Sequence, residues 1–508
     1  MMKKLYYLLV LILVSFTSWC QSIPRSTPEA EGVSSAAIQK FIESFKKEKQ
    51  ELHSVMILRH GKVISEAWWS PYAPELKHSM YSVSKSWTST AVGFAVSENK
   101  LKVTDKVLSF FPEHTDLSSN NFLKDLTVKD LLTMSVGHKT EPLRSVIVMQ
   151  PDWIRGFLKT PIEYIPGTKF LYNTLATYML SAIVQKTTGQ SLVNYLEPRL
   201  FKPLGISGVD WEYDSKGINT GGWGIRVKTE DMAKLGLTYL NGGKYNGKQI
   251  ISNAWVKEAT QKHIEQNPNA SQAKKDSSDW LQGYGYQFWR CRNGAFRADG
   301  AYGQYIVMMP EQDAVVVITS ESMDMQDGLN MIWQHLLPAL GPSKISANQT
   351  EYQSLNRFLK NLRLEPTTSN QVNGNESILG KMYSLEKNPL EFTSFKISKT
   401  ENGLVAEIGT KDQKTHQIPL GLNEWKLSEN QMIGPYSLRS VPAHLETFAP
   451  FKVAGNYVWT DENTIEMTIR YIESPHHWKI TFKVQGGQLK LKAINSYAPK
   501  VTIDIAGN

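Results

Sequence analysis

Cysteine is almost absent from this chain, with only Cys20 and Cys291 in 508 residues. Cys20 ends an apolar leader, so once it is removed or lipidated no intrachain disulfide can form. Stability must then come from ordinary hydrophobic cores. Beyond the first 16 residues no segment reaches the roughly 18 uninterrupted apolar residues that cross a bilayer, which excludes a later membrane span. No nucleic-acid motif accompanies the net charge of +8, and acidic and basic residues are interspersed throughout. The basic balance is a solubility property. No internal repeat is present.

What is there begins with Met-Met-Lys-Lys, an apolar run from Leu5 to Phe16, and Ser18-Trp19-Cys20-Gln21. This pattern predicts a secretory signal peptide over residues 1–20 and a periplasmic destination. Lipidation of Cys20 ranks second, because a lipoprotein signal wants a small residue where Trp19 stands. Loss of Lys3 and Lys4 with the leader lowers the net charge from +8 to +6.

The rest is long enough for two or three domains at roughly 100–200 residues each. Ser34 to about Gln50 predicts an amphipathic helix, and Ser54–Arg59 with Lys62–Trp69 a hairpin around His60-Gly61. Mostly helical text follows from Leu101 to about Gln266, including Tyr172–Lys186. Strands return at Tyr284–Arg292, Phe296–Met309 and Ala314–Thr319, before a helix from about Gln326 to Leu340. The expected fold class is therefore α/β, a sheet flanked by helices with an inserted helical subdomain and a cleft between them. Residues 21–343 form that unit and 344–375 a connecting helix and linker rich in Pro, Thr, Ser, Asn and Gly. Residues 376–508 read as a separate all-β barrel or sandwich. Proteolysis in the linker is expected to release a catalytic fragment ending near residue 365 that still turns over a small ester.

Ser82-Val83-Ser84-Lys85 carries the chemistry. Residues at i and i+3 share a helix face, with Cβ atoms roughly 5–6 Å apart, so Lys85 can take the Ser82 proton. Ser-x-x-Lys also begins at Ser44, Ser97, Ser271 and Ser384, but only Ser82 stands between a hairpin and a long apolar helix. Read blandly, Ser82 is a helix N-cap. Ninety residues after Ser82 stands Tyr172, within Pro166-Gly167-Thr168-Lys169-Phe170-Leu171-Tyr172-Asn173-Thr174.

Together these elements resemble the Ser-x-x-Lys and Tyr-x-Asn motifs of the serine β-lactamase and penicillin-binding protein superfamily, in its class C β-lactamase and esterase branch. Gly221-Gly222-Trp223-Gly224 and Asp231-Met232-Ala233-Lys234-Leu235-Gly236 extend the likeness, which covers about residues 25 to 340. It implies the β-lactamase-like fold and an acyl-enzyme on Ser82, with Lys85 and Tyr172 sharing acid and base work. Thr174 stands where the family often has asparagine, and Tyr239-Leu240-Asn241 is a decoy. The family's third element, Lys-Thr-Gly or His-x-Gly, is matched by Ala298-Asp299-Gly300. The resemblance then implies an oxyanion hole from the Ser82 and Ala301 backbone amides, with Thr174, Asp299 and Gly300 facing substrate. The family's cation is missing, and a bare Asp299 is expected to repel a substrate carboxylate.

A secreted serine hydrolase of ester-like or amide substrates follows, taking a small molecule, an acylated glycan or a peptide, with no cofactor and no metal. The rivals are a β-lactamase or D,D-peptidase acting on cell-wall peptides, and a non-catalytic binding protein on the same fold. His60, His78 and His138 are expected to be structural. His476-His477 reads as a solvated turn and not a metal site, because neighbours on a strand point to opposite faces and no Cys, Asp or Glu cluster accompanies them.

Overall fold

The computed structural model describes residues 22–48, 50–119, 122–368, 374–438 and 445–508. The leader with Cys20 and part of the linker lie outside the described residues.

Alternation decides the first domain. Val55 and Ile57 point to one face of a strand and Met56 and Leu58 to the other, and all four are buried. Such a strand needs cover on both sides, and it is central in a six-stranded antiparallel sheet. The order is Lys62–Trp68, Glu51–Arg59, Ala314–Glu321, Gln304–Met309, Phe296–Gly300 and Trp289–Arg290. One face packs with Ile38, Phe41 and Phe45 of helix Ser35–Lys47, with Leu329 and Ile332, and with Leu355 of helix Gln349–Lys360. The opposite face packs on the helical part, where Trp87, Tyr178 and Met232 share a core with Ile306, Met308 and Val317.

Two expected strands come out shorter. The run from Phe296 to Met309 is broken by a turn in which Tyr302 and Gly303 take φ of 67° and 84°, so a hairpin replaces one long strand. Of Tyr284–Arg292 only Trp289–Arg290 forms a strand, at the sheet edge.

The C-terminal part is one barrel-shaped sheet of ten strands running from Tyr383–Ser384 to Thr502–Gly507. Its ends meet: Ser384 and Asn508 exchange backbone hydrogen bonds at 3.1 and 3.0 Å, so the sheet nearly closes and leaves little free edge. Phe395, Ile397, Met467, Ile480 and Phe482 fill the interior. The connection between strands Lys426–Asn430 and Phe451–Asp461 leaves this core. Its Ile433, Tyr436, Leu438, Leu445 and Phe448 pack into the core of the first domain instead. Composition suggested a separable domain; the apolar residues of this connection are shared with the other one.

Candidate active site

Ser82 sits in a short 3-10 turn, Tyr81–Val83, that feeds helix Ser84–Ser97. It is not the N-cap of that helix, a place taken by Val83. Ser84 ties the turn together, its Oγ donating to Tyr81 O at 2.6 Å and accepting from Ile225 N at 3.2 Å.

Lys85 follows one turn later, fully buried, and its Nζ donates to Ser82 Oγ at 2.9 Å and to Gly222 O at 2.8 Å. A Cβ on Gly222 would lie 2.7 Å from Thr174 Cγ2, so glycine is what lets that carbonyl reach the amine. Burial pushes the Lys85 amine down to about 7, with Glu141 and Asp299 pulling it back up. An amine poised there exchanges protons near neutrality.

Tyr172 closes the other side. Its ring lies 4.7 Å from Lys85 Nζ and stacks on Trp289 at 5.3 Å. Burial of the phenol raises it well above the ordinary tyrosine range, Asp299 adds to that, and the hydrogen bond with Ser82 pulls the other way. A phenol raised that far keeps its proton at rest, whereas the Lys85 amine is able to accept one.

Thr174, the third motif position, is buried, its hydroxyl a long 3.4 Å from Lys85 Nζ. Asn173 is not in the cleft: it caps helix Thr174–Thr188 through Ala176 N and bonds His138 at 3.0 Å. No motif pointed to Glu141, an exposed residue whose carboxylate accepts a hydrogen bond from the Thr174 amide at 2.7 Å.

Gly300 has a steric reason to be glycine. A Cβ there would meet Met80 O at 2.2 Å and Ser82 N at 3.1 Å, so only glycine lets strand Phe296–Gly300 run against the Ser82 turn. Ala301 follows directly, half-buried against the same core. The two oxyanion candidates are thus on adjoining segments.

Asp299 is corrected. It is not bare: Arg297, two residues earlier on the same strand face, holds it with Nε and Nη2 both 2.8 Å from Oδ2. Arg297 is wholly buried and also donates to Asp279 O and Cys291 Sγ, while Asp299 is 6% exposed. Burial pushes the Asp299 carboxyl up, and Arg297 and Lys85 oppose that. Period-two spacing was the available signal for this pair. Arg297→Met should cost about 3–5 kcal/mol in denaturant unfolding by stranding a buried carboxylate, and adding Asp299→Asn should recover much of it.

The histidine pair is corrected too. His476 is fully buried, and His477 is half-buried beside Glu321. Glu51, Glu321 and His477 offer ligand atoms within 4.8 Å of one another. Arg470 donates to both Glu51 oxygens, at 2.7 and 3.3 Å, and so already supplies the positive charge. Tyr239, the decoy, is buried and bonded to Thr90.

Comparison with known proteins decides the family: its model, Beta-lactamase, matches residues 39–339. The chain belongs to the beta-lactamase family. The 6-aminohexanoate-dimer hydrolase of Paenarthrobacter ureafaciens is 25% identical over 294 residues, covering 53% of this chain and 72% of that protein. A penicillin-binding protein homologue from Caulobacter crescentus superposes with a TM-score of 0.50 at 14% identity, over 63% of this chain and 100% of that one. The latter likeness is one of fold alone. As a beta-lactamase-family protein the chain is a serine hydrolase, with residues 39–339 carrying the family part and the barrel lying beyond it. Among the described residues no helix is long and apolar enough to cross a membrane.

Proposed function

We propose that this serine hydrolase cleaves an ester or amide through an acyl-enzyme on Ser82, with a preference for neutral acyl groups. The observation that carries the reading is the 2.9 Å hydrogen bond from a buried Lys85 to Ser82. Ser82 Oγ attacks the carbonyl carbon as its proton passes to Lys85, and the developing oxyanion lies between the Ser82 and Ala301 amides. The proton moves through Tyr172 to the leaving oxygen or nitrogen, whose bond to the carbonyl carbon breaks. Water then repeats the sequence and frees the acid. No step requires a cofactor.

Neutral substrates are favoured because the position of the family's lysine is Ala298, a buried core residue, and Arg297 is spent on Asp299. This reason replaces repulsion by a free aspartate. The relative from Paenarthrobacter ureafaciens is named a 6-aminohexanoate-dimer hydrolase, and because two amino acids join head to tail through an amide, that name supports keeping amides beside esters. The leader supports secretion to the periplasm, with Cys20 lipidation as the second outcome.

The test is an organophosphonate probe with peptide mass mapping, alongside rates on nitrophenyl butyrate and a chromogenic penicillin. Ser82 alone should be labelled, and the ester should turn over faster. Labelling at Ser44, Ser97, Ser271 or Ser384 instead would remove the mechanism. Faster penicillin hydrolysis would move the protein to the β-lactamase or D,D-peptidase reading.

A further inference from the structure

We propose that His476, from the C-terminal barrel, is a positioning residue for the nucleophile turn and the oxyanion amides. Tyr81, directly before Ser82, holds a φ of 46°, a conformation unfavourable for a residue with a side chain that persists only where the surroundings impose it. The surroundings here are largely the other domain. The Tyr81 hydroxyl donates to His476 Nε2 at 2.6 Å, and His476 Nδ1 donates to Glu321 Oε1 at 2.6 Å. Glu321 ends the central strand Ala314–Glu321, so the ring is fixed from the rigid side of the first domain.

The same ring reaches the second oxyanion segment. Tyr302, next after Ala301 and also at positive φ, stands edge-on to His476 with centroids 4.6 Å apart, and edge-on to Tyr81 at 5.4 Å. Tyr436 stacks on Tyr81 at 5.5 Å, and Ser437 hydrogen-bonds both Tyr81 and Tyr302. One imidazole therefore touches both residues that flank the amides expected to hold the oxyanion. A displacement of either amide by a fraction of an ångström lowers transition-state stabilisation and leaves ground-state binding alone.

The inference rests on the Ser82 reading, and its test separates the two. In the full chain, Tyr81→Phe removes one oxygen, and His476→Leu removes the acceptor at similar volume. Each should lower kcat on nitrophenyl butyrate by about 10- to 100-fold with KM within about twofold, and the double variant should lose no more than the worse single one. His476→Gln, which can place an acceptor near Nε2, should recover part of the loss. The rate of phosphonate labelling at Ser82 should fall in parallel, which reads the same geometry without any substrate assumption. Tyr81→Phe and His476→Leu with near-parental kcat and labelling, or a fall in melting temperature alone, would overturn the positioning role. Absence of Ser82 labelling in the parent would overturn the Ser82 mechanism and this inference with it.

Discussion

Ser82→Ala is expected to lower kcat on a nitrophenyl ester by about a millionfold, the loss typical of removing a serine nucleophile whose partners act as one unit. Lys85→Met should fall almost as far, since the two share one proton transfer and their losses do not add. A pH profile distinguishes the base from a merely structural lysine. With the amine pushed down to about 7, acylation should rise about tenfold per pH unit below that value and level off above it. A flat profile between pH 5 and 9 would reject Lys85 as the base. Stability runs with the same sign. Below about pH 7 the folded state carries a buried charge, and this penalty is relieved as pH climbs from about 7 toward 10.5, the ordinary value for lysine. Lys85→Met should accordingly be no less stable than the parent at pH 6, despite its lost catalysis.

The second large effect concerns the domain boundary. A chain ending at residue 365 was expected from composition to keep ester activity, whereas the shared packing argues for the opposite result. Tyr436 and Leu445 are buried in the first domain's core, and Ile433, Leu438 and Phe448 pack against it half-buried. At about 1.5–3 kcal/mol for a fully buried large apolar side chain and less for a half-buried one, their removal is on the order of 5 kcal/mol or more, a large share of the stability of a typical domain. Arg470 bonded to Glu51, and Tyr72 donating to Ser474 O at 2.9 Å, go with them. The truncated chain should be insoluble or molten and devoid of turnover, as judged by near-UV circular dichroism and the nitrophenyl assay. A folded, active fragment would show that the inserted connection is dispensable.

These outcomes mark where the sequence was readable. Ser82 and Lys85 share one helical turn, and Arg297 and Asp299 one strand face, so period and spacing carry them locally, although the second pair went unread. The sheet of the first domain was legible too, though not its six strands, through apolar runs such as Val55–Leu58 that mark strands buried on both faces. Glu141 meets Thr174 across 33 residues and His476 meets Tyr81 across 395, and no periodicity links such pairs. Adjacent histidines at a strand entrance look solvated in isolation. Only the packing of one domain on the other buries His476. The apolar residues between Met432 and Phe448 gave the same ambiguity, because patterning shows that a segment will be buried but not in which core.

The bond between Tyr81 and His476 also sets an order in time. The serine leaves the ribosome early, whereas the imidazole that steadies its turn follows 395 residues after Tyr81, in the last fifth of the chain. A nascent or broken polypeptide thus carries the reactive hydroxyl without the frame that makes it reactive. On the positioning proposal, full activity becomes a property of the finished molecule, and the barrel's arrival supplies about the last 10- to 100-fold, the loss expected when the Tyr81–His476 bond is removed.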